Sequence, residues 1–125
     1  MNDDQPKPPW WPTDGEEPDP RWSLANERTL LAYTRTALAF LVAGLAIAAS
    51  HTAADTPAWL AAAGLPLMAA AGLIANAGRD RFIEAQRALR SGEPLTAPRA
   101  ASLISRGLAA LTVVAIVLAA LQLIL

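Results

Sequence analysis

The residues in this chain best suited to chemistry are arginines at a fixed interval: Arg21, Arg28 and Arg35. Seven residues carry an α-helix through about 700°, close to two whole turns, so side chains so spaced fall on nearly one face. Arginine holds its charge throughout the physiological range and grips phosphate or carboxylate oxygens with two parallel N–H donors. A row of guanidinium groups therefore suits anions: phospholipid headgroups, soluble phosphate or polyphosphate, or acidic side chains of a partner. Asn26 and Glu27 share a helical turn with Arg28 and are placed to orient it. Arg106, about one turn into a later helix, joins the set if the helices lie side by side.

Other chemistries lack their residues. There is no cysteine, which removes disulfides, thiolate catalysis and cysteine metal sites. No Gly-x-Ser-x-Gly, His-Glu-x-x-His or phosphate-binding glycine loop occurs. The single histidine, His51, shares a short polar turn (Ser50–Thr56) with Asp55, too sparse a set for a metal. Ser23, Ser102 and Ser105 have no histidine in reach, and Glu27, Asp80 and Glu84 read as neutralisers of arginines. Neither an enzyme nor a cofactor is expected. A net charge of −1 gives no electrostatic reason for a nucleic-acid partner.

The elements that must position these arginines belong to a membrane protein. Of the 125 residues, 54% are hydrophobic and 17% charged, and the apolar ones gather in three blocks instead of recurring at core spacing. A helix needs roughly 20 apolar residues to cross the hydrocarbon. The expectation is an all-α integral membrane protein with three transmembrane helices, at about 30–50, 58–78 and 103–125, the first being long and starting in the cytoplasm. Helix 1 starts near Asp19-Pro20 or at Ser23, since Asp and Ser cap well and Pro suits the first turn. Its uninterrupted apolar run, Ala37–Ala49, is only about 20 Å long against a hydrocarbon thickness of roughly 30 Å. Either the bilayer thins or the span includes residues 30–36, and Arg35 then lies below the headgroups. A charge there costs about 2.5–3.5 kcal/mol unless it snorkels, pairs or faces water.

Helix 2 is rich in Ala and Gly, which permits close backbone approach. Pro66 should bend it, and the helix runs on through Gly78–Arg90, where Phe82, Ile83 and Leu89 face lipid and Glu84 pairs with Arg87. Gly92 and Pro94 end it, in a basic cytoplasmic segment at 79–99. Residues 1–19, rich in Pro, Asp and Glu, read as a disordered cytoplasmic tail. Within it, Trp10 and Trp11 rest at headgroup level or form a docking peptide. The acidic start, with no apolar core behind it, is not expected to be a cleaved signal peptide. Arginines flank the N-terminal end and fill 79–99, whereas the turn after helix 1 has no Lys or Arg. By the positive-inside rule the N-terminus is cytoplasmic and the C-terminus outside, in the plasma membrane.

The stretch Leu24-Ala25-Asn26-Glu27-Arg28-Thr29-Leu30-Leu31-Ala32-Tyr33-Thr34-Arg35-Thr36 resembles the signature of the YidH family, small three-helix bacterial inner-membrane domains of unknown function. The likeness extends over about residues 20–125, with Tyr33 where the family commonly has tryptophan. That domain is similar in turn to the membrane portion of the yeast vacuolar transporter chaperone. In the latter, copies surround a pore with basic residues on the first and third helices, through which polyphosphate passes. The resemblance implies that Arg28 and Glu27 match the shared core, that Arg21 matches a pore residue and that Arg106 is the third-helix counterpart. Arg35 belongs to the bacterial pattern. With no stretch for a polymerase or phosphate-sensing domain, the resemblance bears on fold and assembly before transport. The combined expectation is a homo-oligomer packed through helices 1 and 2, with Arg28, Arg35 and Arg106 ringing a vestibule that attracts anions. The alternative is a structural scaffold whose arginines hold anionic lipid and whose tail recruits a partner.

Overall fold

The computed structural model describes residues 9–124, and the regular secondary structure among them is all helix. Three helical paths are long and apolar enough to cross a membrane: Pro20–Ala54, Ala58–Ser91 and Arg99–Leu118. The chain divides into two units, one ending at Leu95 and the other beginning at Thr96.

In the first unit, α1 spans Pro20–Ala54. Of the two starts that the sequence allows, the chain takes Asp19-Pro20: Asp19 Oδ1 accepts the Arg21 N–H at 2.9 Å, and Pro20 fills a position where no donor is needed. The helix does not stop at Ala49. Residues 50–54, expected as part of a turn, form its last turn, which ends at Asp55 with φ 51°. Their polar side chains are drawn back onto the chain: Ser50 Oγ donates to the Ile47 carbonyl at 2.6 Å, and His51 Nδ1–H donates to the Thr56 carbonyl. Thr34 and Thr36 likewise donate to the carbonyls four residues earlier. With these groups satisfied, Ala37–Ala54 offers about 27 Å of crossing helix, close to the hydrocarbon thickness.

The second path is interrupted. A short α2, Ala58–Ala62, ends at Ala63, and α3 runs over Gly64–Ser91. Pro66 has no N–H for the Ala62 carbonyl, and its ring crowds that carbonyl, so the helix breaks at 63 instead of bending around 66. Gly92, at φ 69°, closes α3 by donating its N–H to the Ala88 carbonyl, and the Glu93 N–H does the same at 3.0 Å. Within the segment read as a basic connection, only 92–98 is therefore non-helical.

The helices α1 and α3 meet along small residues. On α1 the buried positions are Asn26, Tyr33, Ala37 and Gly44, and on α3 they include Gly64, Ala71, Gly78 and Ala85, seven apart. A Cβ on Gly44 would stand 2.8 Å from the Gly64 carbonyl oxygen, and one on Gly78 would stand 2.5 Å from the Tyr33 Cβ. Lipid provides no hydrophobic drive between helices, so dispersion at such close approach holds them. These small residues serve contacts within one chain, whereas the sequence reading gave helices 1 and 2 to contacts between subunits.

Residues 9–19 are laid against α3 instead of extending free. The Trp10 ring lies 5.0 Å from the Phe82 ring, and the Arg79 guanidinium lies 5.8 Å from the Trp10 centroid. Farther along, Arg90 Nη1 donates to the Thr13 carbonyl at 3.0 Å, and the Glu16 N–H donates to the Arg90 carbonyl at 3.3 Å. Gly15 is required at this crossing, because its φ is 93° and a Cβ would stand 2.9 Å from the Arg90 carbonyl. Phe82, expected to face lipid, is buried beneath Trp10. The rest of the expected tail, residues 1–8, lies outside the described residues. The second unit consists of α4, Arg99–Ile124, and the last residue of its expected span also lies outside them.

Candidate functional site

Two faces of α1 carry functional groups. With Asn26 as origin and about 100° per residue, Tyr33, Ala37 and Gly44 fall within about 20° of it. Arg21, Arg28 and Arg35 fall about 140–180° away, on the face opposite α3. All three are exposed, and none makes a side-chain hydrogen bond or ion pair among the described residues. The same register continues along the helix as Val42 and Ala49, both exposed. The row thus passes from charge to hydrocarbon along one line. Arg106, also exposed, sits seven residues beyond Arg99 on α4 and belongs to the other unit.

Asn26 does not orient this row. It is 7% exposed and its Nδ2 donates to the Phe82 carbonyl at 3.0 Å, tying α1 to α3. That bond, with the Tyr33–Gly78 contact, sets α1 and α3 antiparallel, so the basic start of α1 and the basic end of α3 share one side of the unit. On α3 the pair at i, i+3 is Arg81 with Glu84, at 3.5 Å, and Asn76 donates to Asp80 at 3.3 Å.

Glu27 points to a second feature. It lines a cleft of about 450 Å³ between residues 10–18, α1 and the end of α3, together with Ser23, Leu31, Trp11, Gln86 and Arg90. Gln86 is 6% exposed, and its Oε1 accepts no hydrogen bond among the described residues; the Arg90 Nε–H is likewise buried and unpartnered. Sequence reasoning missed this cleft. The available signal was Gln86 within a stripe of Phe82, Ala85 and Leu89, a polar residue on a face otherwise fit for burial. Among the described residues no three His, Asp or Glu side chains gather as a metal site.

Three apolar crossing helices, a basic end and a small-residue helix contact define a small polytopic membrane protein. Its family follows from comparison: residues 21–124 match the family described as Domain of unknown function (DUF202), and the chain belongs to it. Over 81 residues it is 42% identical to the inner membrane protein YidH of Escherichia coli (strain K12), covering 65% of this chain and 70% of that protein. Over 102 residues it is 37% identical to an uncharacterized protein of Mycobacterium tuberculosis (strain ATCC 25618 / H37Rv), covering 82% of this chain and 84% of that one. No solved structure matches the chain. It is thus a small inner-membrane protein of the DUF202 and YidH family, as the motif around Asn26–Thr36 implied.

Proposed function

We propose that this protein is an oligomeric anion-binding module in which Arg21, Arg28 and Arg35 of several copies form a channel-like basic vestibule on the cytoplasmic side. The observation that carries the reading is the row of exposed guanidinium groups, unpartnered among the described residues, on the α1 face turned away from α3. Fixed charges left without partners at a membrane edge attract phosphate-bearing species, and several rows around an axis focus that attraction. Like charges so gathered repel, so the vestibule needs water or bound anions between them. The positive-inside rule puts this end, with the N-terminus, in the cytoplasm. The module binds and passes anions of the phosphate or polyphosphate type and performs no catalysis.

The test has two steps. Native mass spectrometry of the full chain in mild detergent should find a closed ring of several copies. Phosphate or short-chain polyphosphate should then cross liposomes containing the wild type several-fold faster than those containing Arg28→Ala. A monomer, or equal flux from both proteins, overturns the channel reading. Anionic lipid held by Arg28 without flux would favour the scaffold reading.

A further inference from the structure

The cleft on the other side of α1 has a different character from the arginine row, and its walls describe a guest. Gln86 Oε1 is an acceptor awaiting a donor, and Arg90 Nε–H is a donor awaiting an acceptor. Both atoms are buried in the cleft wall, so leaving them unpaired carries a cost, and a turn of either side chain toward a guest with one donor and one acceptor offsets it. Glu17 and Glu27 bring two carboxylates to the lining against the single guanidinium of Arg90. That excess of negative charge selects against a simple anion and favours a ligand that also carries an ammonium group. Trp11 and Leu31 supply an apolar wall on which a short methylene linker can rest. Leu31 precedes the apolar run at Ala37 by six residues, about 9 Å along the helix, which sets the cleft at the headgroup layer.

We propose that this cleft binds a phosphoethanolamine group, its phosphate against Arg90 and its ammonium between Gln86 and Glu27. The proposal does not rest on the arginine row, and the two make opposite demands on lipid: the row favours anionic headgroups, and the cleft a zwitterion. The helix α1 then reads two lipid chemistries on two faces.

The test uses the full chain, stripped of phospholipid in mild detergent and offered phosphatidylethanolamine and phosphatidylglycerol at equal concentration in native mass spectrometry. Wild type should retain phosphatidylethanolamine as well as the phosphatidylglycerol held by the arginine row. Glu27→Gln and Gln86→Leu should each lower that retention about tenfold, the loss expected for one charge-assisted hydrogen bond, and leave phosphatidylglycerol unchanged. Glu27 is exposed, so its substitution leaves the fold intact and keeps the test decisive should the Gln86 variant unfold. Arg28→Ala should do the reverse and lower phosphatidylglycerol retention alone, which separates the failure of this proposal from failure of the anion-binding one. Displacement by millimolar soluble phosphoethanolamine would assign the site to the free headgroup compound, and its failure to displace would assign it to the lipid. Equal phosphatidylethanolamine retention by wild type and Glu27→Gln, or no phosphatidylethanolamine retained by the wild type, overturns the proposal.

Discussion

Replacing Gly78 by alanine tests the central packing claim most directly. The added Cβ would stand 2.5 Å from the Tyr33 Cβ and 3.0 Å from its Cγ, about 1 Å inside normal carbon–carbon contact. Tyr33 is 8% exposed and sits on a helix backbone, so neither partner can rotate away and the helices must separate. Overpacking of this kind costs about 1–3 kcal/mol. The better helix propensity of alanine returns roughly 0.5–1 kcal/mol, leaving a net loss of about 1–2 kcal/mol. Gly72 is the internal control, since its Cβ would meet nothing within 4 Å. There the propensity gain stands alone, and Gly72→Ala should be neutral or stabilising by up to about 1 kcal/mol. The two variants should thus differ by about 2 kcal/mol, roughly thirty-fold in the unfolding equilibrium. Reversible unfolding in mixed micelles at rising SDS fraction, followed by tryptophan fluorescence and far-UV circular dichroism, reads that difference. Equal stability of Gly78→Ala and Gly72→Ala would refute the close α1–α3 approach.

Three other perturbations probe separate links. Asn26→Leu removes the buried bond to the Phe82 carbonyl and should cost about 1 kcal/mol in the same unfolding assay; an unchanged midpoint would show that the bond ties nothing. Arg90→Ala removes the Nη1 bond to the Thr13 carbonyl, and residues 9–18 should then exchange amide hydrogens and be cleaved by protease faster, with α1 and α3 unaffected; unchanged protection of that segment would contradict its docking. Pro66→Ala restores an N–H for the Ala62 carbonyl and should join α2 to α3, slowing amide exchange at residues 62–66; continued rapid exchange there would assign the break to another cause.

Much of this architecture follows from local sequence. The number and approximate place of the crossing helices come from hydropathy, because any 20-residue apolar stretch prefers hydrocarbon whatever its neighbours. The Asp19-Pro20 start, the Gly92 stop and the seven-residue arginine row are equally local, each set by a cap, a backbone preference or the helical period. Tertiary structure decided what those signals leave open. Ser50 and His51 look like turn residues until their hydrogen bonds to Ile47 and Thr56 draw them into α1. Pro66 announces a disturbance, but the crowded carbonyl four residues earlier puts the break at Ala63. Asn26 and Arg28 sit two positions apart in the motif, yet one is buried against Phe82 and the other faces outward on the opposite side of the helix. The cleft around Gln86 and Arg90 brings residues 10–31 against residues 82–90, which are distant from them in sequence. Local pattern sets which residues share a face, but which face meets another depends on long-range shape complementarity, and only the packed chain contains that.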